Sequence, residues 1–284
     1  MSVRLPCGKE YMIHNLKAKI IYIRRGIYMT NKDILEIAMK QSAIDSNCSV
    51  DDFYSFDNKV VISNRNSNAR KYLELPFLCD LTSYGNNIVA SVSEELKSIV
   101  CDYINKFSSE HCFETPNLLV LMDKLKPFNL NVCFMAEYFL PNLNQLTQLE
   151  CSYETRILEA NEFGGLYLPE WSNALCEKRK HLDVLGVGAY DNGKLIGLAG
   201  CSADCDTMWQ IGVDVLSAYR KQGIASALTS KLALEILSRD IVPFYCCAWS
   251  NIKSARNAIK SGFVPAWVQM TVKPNDFIEK INNQ

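Results

Sequence analysis

The segment Arg220-Lys221-Gln222-Gly223-Ile224-Ala225 has the composition of an anion site. It follows the apolar run Met208 to Val215 and opens a stretch in which Ile224, Leu228, Leu232 and Ile236 recur every fourth residue, so it stands where a strand turns into a helix. The first N–H groups of a helix have no internal partners and carry about half a positive charge through the helix dipole. Gly223 has no Cβ to hold a phosphate away from the backbone, Ala225 is small, and Arg220 and Lys221 add full charges. Backbone donors of this kind, continued by Ser226, suit a diphosphate. Taken by itself the same segment also reads as a turn glycine before a solvated helix start.

The neighbouring elements must position this turn. Val184 to Tyr190 and Lys194 to Gly200 flank Asp191-Asn192-Gly193, a hairpin pattern. Tyr153 to Leu158 reads as a strand, Pro169 to Lys180 as a helix with proline in its first turn, and Val242 to Trp249 as a buried strand. Asn251 to Lys260 is helical in pattern, Ser261-Gly262 ends it, and Phe263 to Val272 is extended. The first half is less regular. Thr30 and Asp33 offer a capping box for a helix bearing Ile34, Ile37 and Ala38, and Asn87 to Ser91 is strand-like. Ser91, three residues before Glu94, is positioned to cap a helix with Leu96, Val100, Tyr103 and Ile104 on one stripe. A second helix begins near Asn117, and Val132 to Met135 suits a buried strand. Pro141 to Gln148 is polar and without period, which marks it as a linker. Three regions result: a basic leader over 1–28, an α/β region over 29–148, and a mixed α/β domain over 149–284.

Val213-Asp214-Val215, then Arg220-x-x-Gly223-x-Ala225, then Asn251 with Ser254, then Ser261-Gly262-Phe263 resemble the GNAT superfamily of acetyl-CoA-dependent N-acetyltransferases. The resemblance covers about 150 to 275, and the chain looks like a bacterial type carrying an extra N-terminal region. It implies a mostly antiparallel sheet flanked by helices in the second half, of α/β (α+β) class. It implies that the amides of Gln222 to Ser226 hold the CoA diphosphate, that Val213 and Val215 hydrogen-bond the pantetheine arm, and that Asn251 and Ser254 touch the far end of the cofactor. Acetyl-CoA and an amine are the implied partners, and a homodimer is compatible with the pattern. The family often carries a tyrosine seven residues after the asparagine; this sequence has Ala258.

An amine must attack as the neutral base and the thiolate must be stabilised as it leaves, so the reading needs proton-handling groups. Asp204, Asp206 and Asp214 are the acidic candidates near the signature strand, with Asp206 preferred, and Tyr245 is the candidate acid in place of Ala258. Their plain alternatives are turn aspartates and a core tyrosine. Cys246 and Cys247 would permit a covalent acyl-enzyme, but no histidine adjoins them and buried thiols are inert. A binding module that kept the cleft and lost the chemistry is the competing reading.

Composition bounds the rest. The chain has 284 residues, 48% hydrophobic and 21% charged, with 30 Lys+Arg against 31 Asp+Glu, so no global field draws it to nucleic acid or an acidic bilayer. No apolar run approaches the ~20 residues of a spanning helix. Twelve cysteines without a Cys-x-x-Cys pair, together with three histidines, give no metal-ligand spacing, and most cysteines sit in apolar runs as reduced thiols of a cytoplasmic protein. Residues 1–28 carry Arg4, Lys9, Lys17, Lys19, Arg24 and Arg25 against Glu10, which reads either as a targeting or RNA-binding arm or as sequence upstream of a natural start at Met29, just before the capping box.

Overall fold

The computed structural model describes residues 29–283, and the basic leader lies outside the described residues. The first region contains α1 (Asn31–Ser46), β1 (Lys59–Ile62), β2 (Cys79–Ser83), β3 (Val89–Val92), α2 (Lys97–Ile104), α3 (Thr115–Leu125) and β4 (Leu130–Pro141). The second contains β5 (Glu154–Glu159), β6 (Asp183–Asp191), β7 (Lys194–Ser202), β8 (Met208–Val215), α4 (Ile224–Leu237), β9 (Val242–Ala248), α5 (Ile252–Lys260), β10 (Phe263–Pro274) and α6 (Asn275–Asn282).

Local chemistry accounts for most of these boundaries. The Thr30 capping box closes α1: the Asp33 N–H donates to Thr30 Oγ1 at 3.2 Å while Asp33 Oδ2 accepts from the Thr30 N–H at 2.8 Å. Asn192 (φ 50°) and Gly193 (φ 81°) form the tight turn between β6 and β7, the conformation that matches strand twist.

All ten strands form one sheet in the order β1-β3-β2-β10-β4-β9-β8-β7-β6-β5. Only β1–β3 and β8–β9 are parallel, so the sheet is mixed and mostly antiparallel as expected. The two regions exchange strands. β10, the last strand of the second region, lies between β2 and β4; β4, the last strand of the first, lies between β10 and β9. The expected regions 29–148 and 149–284 therefore share one hydrogen-bonded layer. The largest core cluster joins Leu185, Val187 and Ile211 of the sheet to Leu228 and Leu232 of α4, and reaches Ile34 and Ala38 of α1. A second lies under α2 and α3, around Leu81, Leu96, Leu121 and Met270.

Two local expectations are corrected. The helix expected over Pro169 to Lys180 is instead a pair of short 3₁₀ turns, Pro169–Trp171 and Glu177–Leu182. Between them the Asn173 and Ala174 backbone lies so close to Gly212 and Gly200 that a Cβ on either glycine would collide with it. The amides of Asn173 and Ala174 are taken by the Asp214 carboxylate, which withdraws them from any helical ladder. Ser91 does not cap a helix: it is buried within β3 opposite Asp80, and Ser93 holds the cap position.

Candidate functional site

The turn before α4 has the geometry its composition suggests. Gly223 occupies the N-cap position with φ +82°, and Lys221 is also left-handed at φ 65°. No side chain caps the helix, and its first bond runs from the Ala227 N–H to the Gly223 carbonyl at 3.0 Å. The amides of Ile224, Ala225 and Ser226 thus have no acceptor within the described residues. A Cβ built on Gly223 would meet only Lys260 Nζ, at 3.8 Å, so the approach is open and an ammonium from α5 stands at its edge. The flanking side chains fix the loop. Arg220 Nε donates to the Val215 carbonyl at 3.0 Å, and Tyr153 donates to Gln222 Oε1 at 2.9 Å. Ser226 is buried and its carbonyl accepts from Ser261 Oγ at 3.3 Å, which ties α4 to the end of α5.

Beside this turn the sheet opens. β8 and β9 pair from Met208 with Val242 to Ile211 with Tyr245, and the pairing stops there. Gly212 to Val215 remain bonded to β7, and Cys246 to Ala248 remain bonded to β4, so each strand keeps one partner and presents a free edge to the other. Val213 and Val215 lie on that freed stretch. Unpaired strand edges inside a sheet are ready acceptors and donors for an extended ligand.

Tyr245 marks the point of divergence. Its hydroxyl shares a 2.8 Å hydrogen bond with Ser254 Oγ on α5, and burial holds its pKa above the ordinary tyrosine value. Asn251 caps α5 by accepting from the Ser254 N–H at 3.2 Å, so the side chains of Asn251 and Ser254 are both engaged within the protein. Ala258 is fully buried.

The acidic candidates are not gathered at the opening. Asp206 is exposed in the turn before β8, roughly 25 Å from Val215 at ~3.3 Å per strand residue. Asp204 is buried beside Arg179 Nη1 at 3.6 Å, and burial pushes its carboxyl up to about 6. Asp214 is occupied by Asn173 and Ala174. Burial also pushes the Cys246 thiol up to about 12, far from a nucleophilic thiolate. Among the described residues no group of three His, Cys, Asp or Glu is placed to hold a metal.

Residues 137–266 match the family model described as GNAT acetyltransferase. This segment is a GNAT acetyltransferase domain. Solved structures similar to the chain include a GCN5-related N-acetyltransferase-like protein from Streptococcus suis, at 21% identity over 54% of this chain and 68% of that one, with a TM-score of 0.41. An acetyltransferase from the GNAT family of Colwellia psychrerythraea gives 17% identity over 53% and 61%, TM-score 0.39. A GCN5-related N-acetyltransferase from Kribbella flavida gives 16% over 55% and 63%, TM-score 0.38. The chain thus spans about two thirds of the length of these relatives. No curated protein matches it significantly.

The GNAT segment begins inside β4, at Glu137, so it includes the final part of the strand that the first region contributes. Sequence reasoning missed this strand's continuation from Ala136 to Pro141, and with it Glu137, because the mixed polarity there has no clear period. It also missed Lys260 and Tyr153. The basic residue in the last turn of α5, just before Ser261-Gly262, was the available signal for the first; nothing in the chain's order signalled the second.

Proposed function

We propose that the GNAT domain transfers acetyl from acetyl-CoA to a primary amine of a small molecule or protein by direct attack. The observation that carries this reading is the uncapped amino end of α4, behind left-handed Gly223, at the mouth of the β8–β9 opening. In it, the amides of Gln222 to Ser226 grip the diphosphate, with Arg220, Lys221 and Lys260 supplying charge, and the freed edge at Val213 and Val215 receives the pantetheine arm. The amine nitrogen forms a bond to the acetyl carbon, the carbon–sulfur bond breaks, and the amine's proton leaves to solvent or a base. Tyr245, kept protonated by its surroundings, gives a proton to the departing thiolate. Asp206 has no part in this scheme, given its distance along β8.

Calorimetric titration of the full chain with CoA tests the reading: the wild type binds and Gly223→Asp does not. Steady release of thiol from acetyl-CoA in the presence of amines distinguishes transfer from binding alone. CoA binding without turnover would favour the acyl-CoA-binding module, for which the buried Ala258 in place of a tyrosine speaks.

A further inference from the structure

Across β9 from the β8–β9 opening lies a cavity of about 330 Å³ that the scheme above does not use. Its walls include Tyr84, Phe113, Trp249 and Trp267, and its charged side chains are Glu110 and Glu137, with no lysine or arginine in the lining. Glu137 stands opposite Cys247 in the β4–β9 register, beside the part of β9 that has left β8, and Trp249 directly follows that strand. The cavity is therefore linked to the freed segment of β9 through Glu137, paired with it across the sheet, and Trp249, which follows it.

Three features define the occupant. Neither Glu110 nor Glu137 has a cationic partner or a side-chain hydrogen bond among the described residues, so two carboxylates face the space uncompensated. Trp249 is 38% exposed, and its ring centroid lies 6.0 Å from that of buried Phe113, giving an open aromatic wall. Trp267 is only 3% exposed, is stacked on Tyr138 at 4.5 Å and Tyr84 at 5.4 Å, and carries a buried indole N–H with no partner. Packed between Tyr138 and Tyr84, Trp267 is a rigid wall residue, and its shielded indole N–H is out of reach of a molecule in the cavity.

We propose that this cavity is the acceptor pocket and that it selects an amine carrying a positive charge on an apolar or aromatic body. The inference rests on the acyl-transfer reading for its purpose. Carboxylates attract the ammonium, the rings of Trp249 and Phe113 cover the body and add cation–π attraction, and an anionic acceptor is repelled. The ammonium becomes the attacking amine once it sheds its proton.

The test uses the full chain and a matched pair of probes, 2-phenylethylamine and 3-phenylpropionate, followed by calorimetry and tryptophan fluorescence. The amine binds saturably and at least about tenfold more tightly than the carboxylate, and Glu137→Gln and Glu110→Gln each weaken it severalfold while CoA affinity stays unchanged. Equal affinity for the two probes, no saturable binding of the amine, or undiminished binding by both folded variants overturns the proposal. Glu110 lies on an exposed loop, so its variant remains informative should Glu137→Gln fail to fold. If CoA binds and the charge preference is absent, the pocket falls alone. If the preference stands and CoA does not bind, the acyl-transfer reading and the acceptor role fall together, and only the selectivity for a cationic amine stands.

Discussion

Asp214 holds Asn173 by two hydrogen bonds, from the backbone N–H at 2.8 Å and from the side-chain amide at 2.7 Å. A third, from the Ala174 N–H at 3.0 Å, completes the clasp. The side chain that sequence alone offers as a proton acceptor instead pins an irregular segment onto β7 and β8, where Gly200 and Gly212 leave room for its backbone. Asp214→Ala removes hydrogen bonds to a charged group and leaves two amides exposed, so it lowers stability by about 1–3 kcal/mol. Urea unfolding checks this. A loss of turnover with unchanged stability would instead return Asp214 to the chemistry.

Gly223→Ala places a Cβ into a left-handed conformation and costs about 1–2 kcal/mol of stability even though space is available. Lys260→Ala leaves the fold intact and weakens CoA binding, and the logarithm of the affinity then falls less steeply with salt than in the wild type. Titration at two salt concentrations measures both. Identical salt dependence in the two proteins would place Lys260 outside the diphosphate's field.

Tyr245→Phe removes the hydroxyl at the point where β8 and β9 part and keeps the ring. The expected outcome is a drop in kcat of about 10²-fold or more with KM for acetyl-CoA little changed, as for loss of a positioned acid. Ser254→Ala removes only that hydroxyl's partner and has the smaller effect. Steady-state kinetics on both variants, with a pH profile, separates an acid from a core tyrosine, since a purely structural role leaves the profile's shape unchanged.

Asp80 gives a pH signature independent of function. It is 1% exposed, and burial pushes its carboxyl from the ordinary 3.8 up to about 6, against the hydrogen bonds of Thr271, Gln269 and Thr82. The folded state thus binds this proton more tightly than the unfolded chain. Its contribution to stability is fully present below about pH 3.8, declines as pH rises to about 6, and is level above that. Asp80→Asn removes this slope, so the wild type loses stability relative to the variant between pH 4 and 6. Urea unfolding across that range checks it, and parallel pH curves would refute the assignment.

Much of the second half was legible because its signals are local. The Asn192-Gly193 turn, the four-residue apolar repeat of α4 and the glycine before it each state their conformation within a few residues, and the anion-site reading of 220–226 follows from the same short segment. The helix expected over Pro169 to Lys180 was not legible, because the groups that break it, Asp214, Gly200 and Gly212, lie 25 or more residues away in sequence. The same limit applies to the proton-handling residues: strand position put Asp204, Asp206 and Asp214 together, whereas packing buried one beside a half-buried arginine, left one in solvent and bound the third to a loop.

What the chain order determined by itself was therefore most of the strands and helices of the second half and the turn that presents backbone donors, since propensity, capping and glycine stereochemistry act over one or two turns. The tertiary structure alone decided that β4 and β10 change places between the regions, that β8 and β9 separate after Ile211, and that Glu137 and Trp249 face one cavity. Those relations join residues from 34 to more than 100 positions apart, and only the pairing of whole strands in one sheet brings them together.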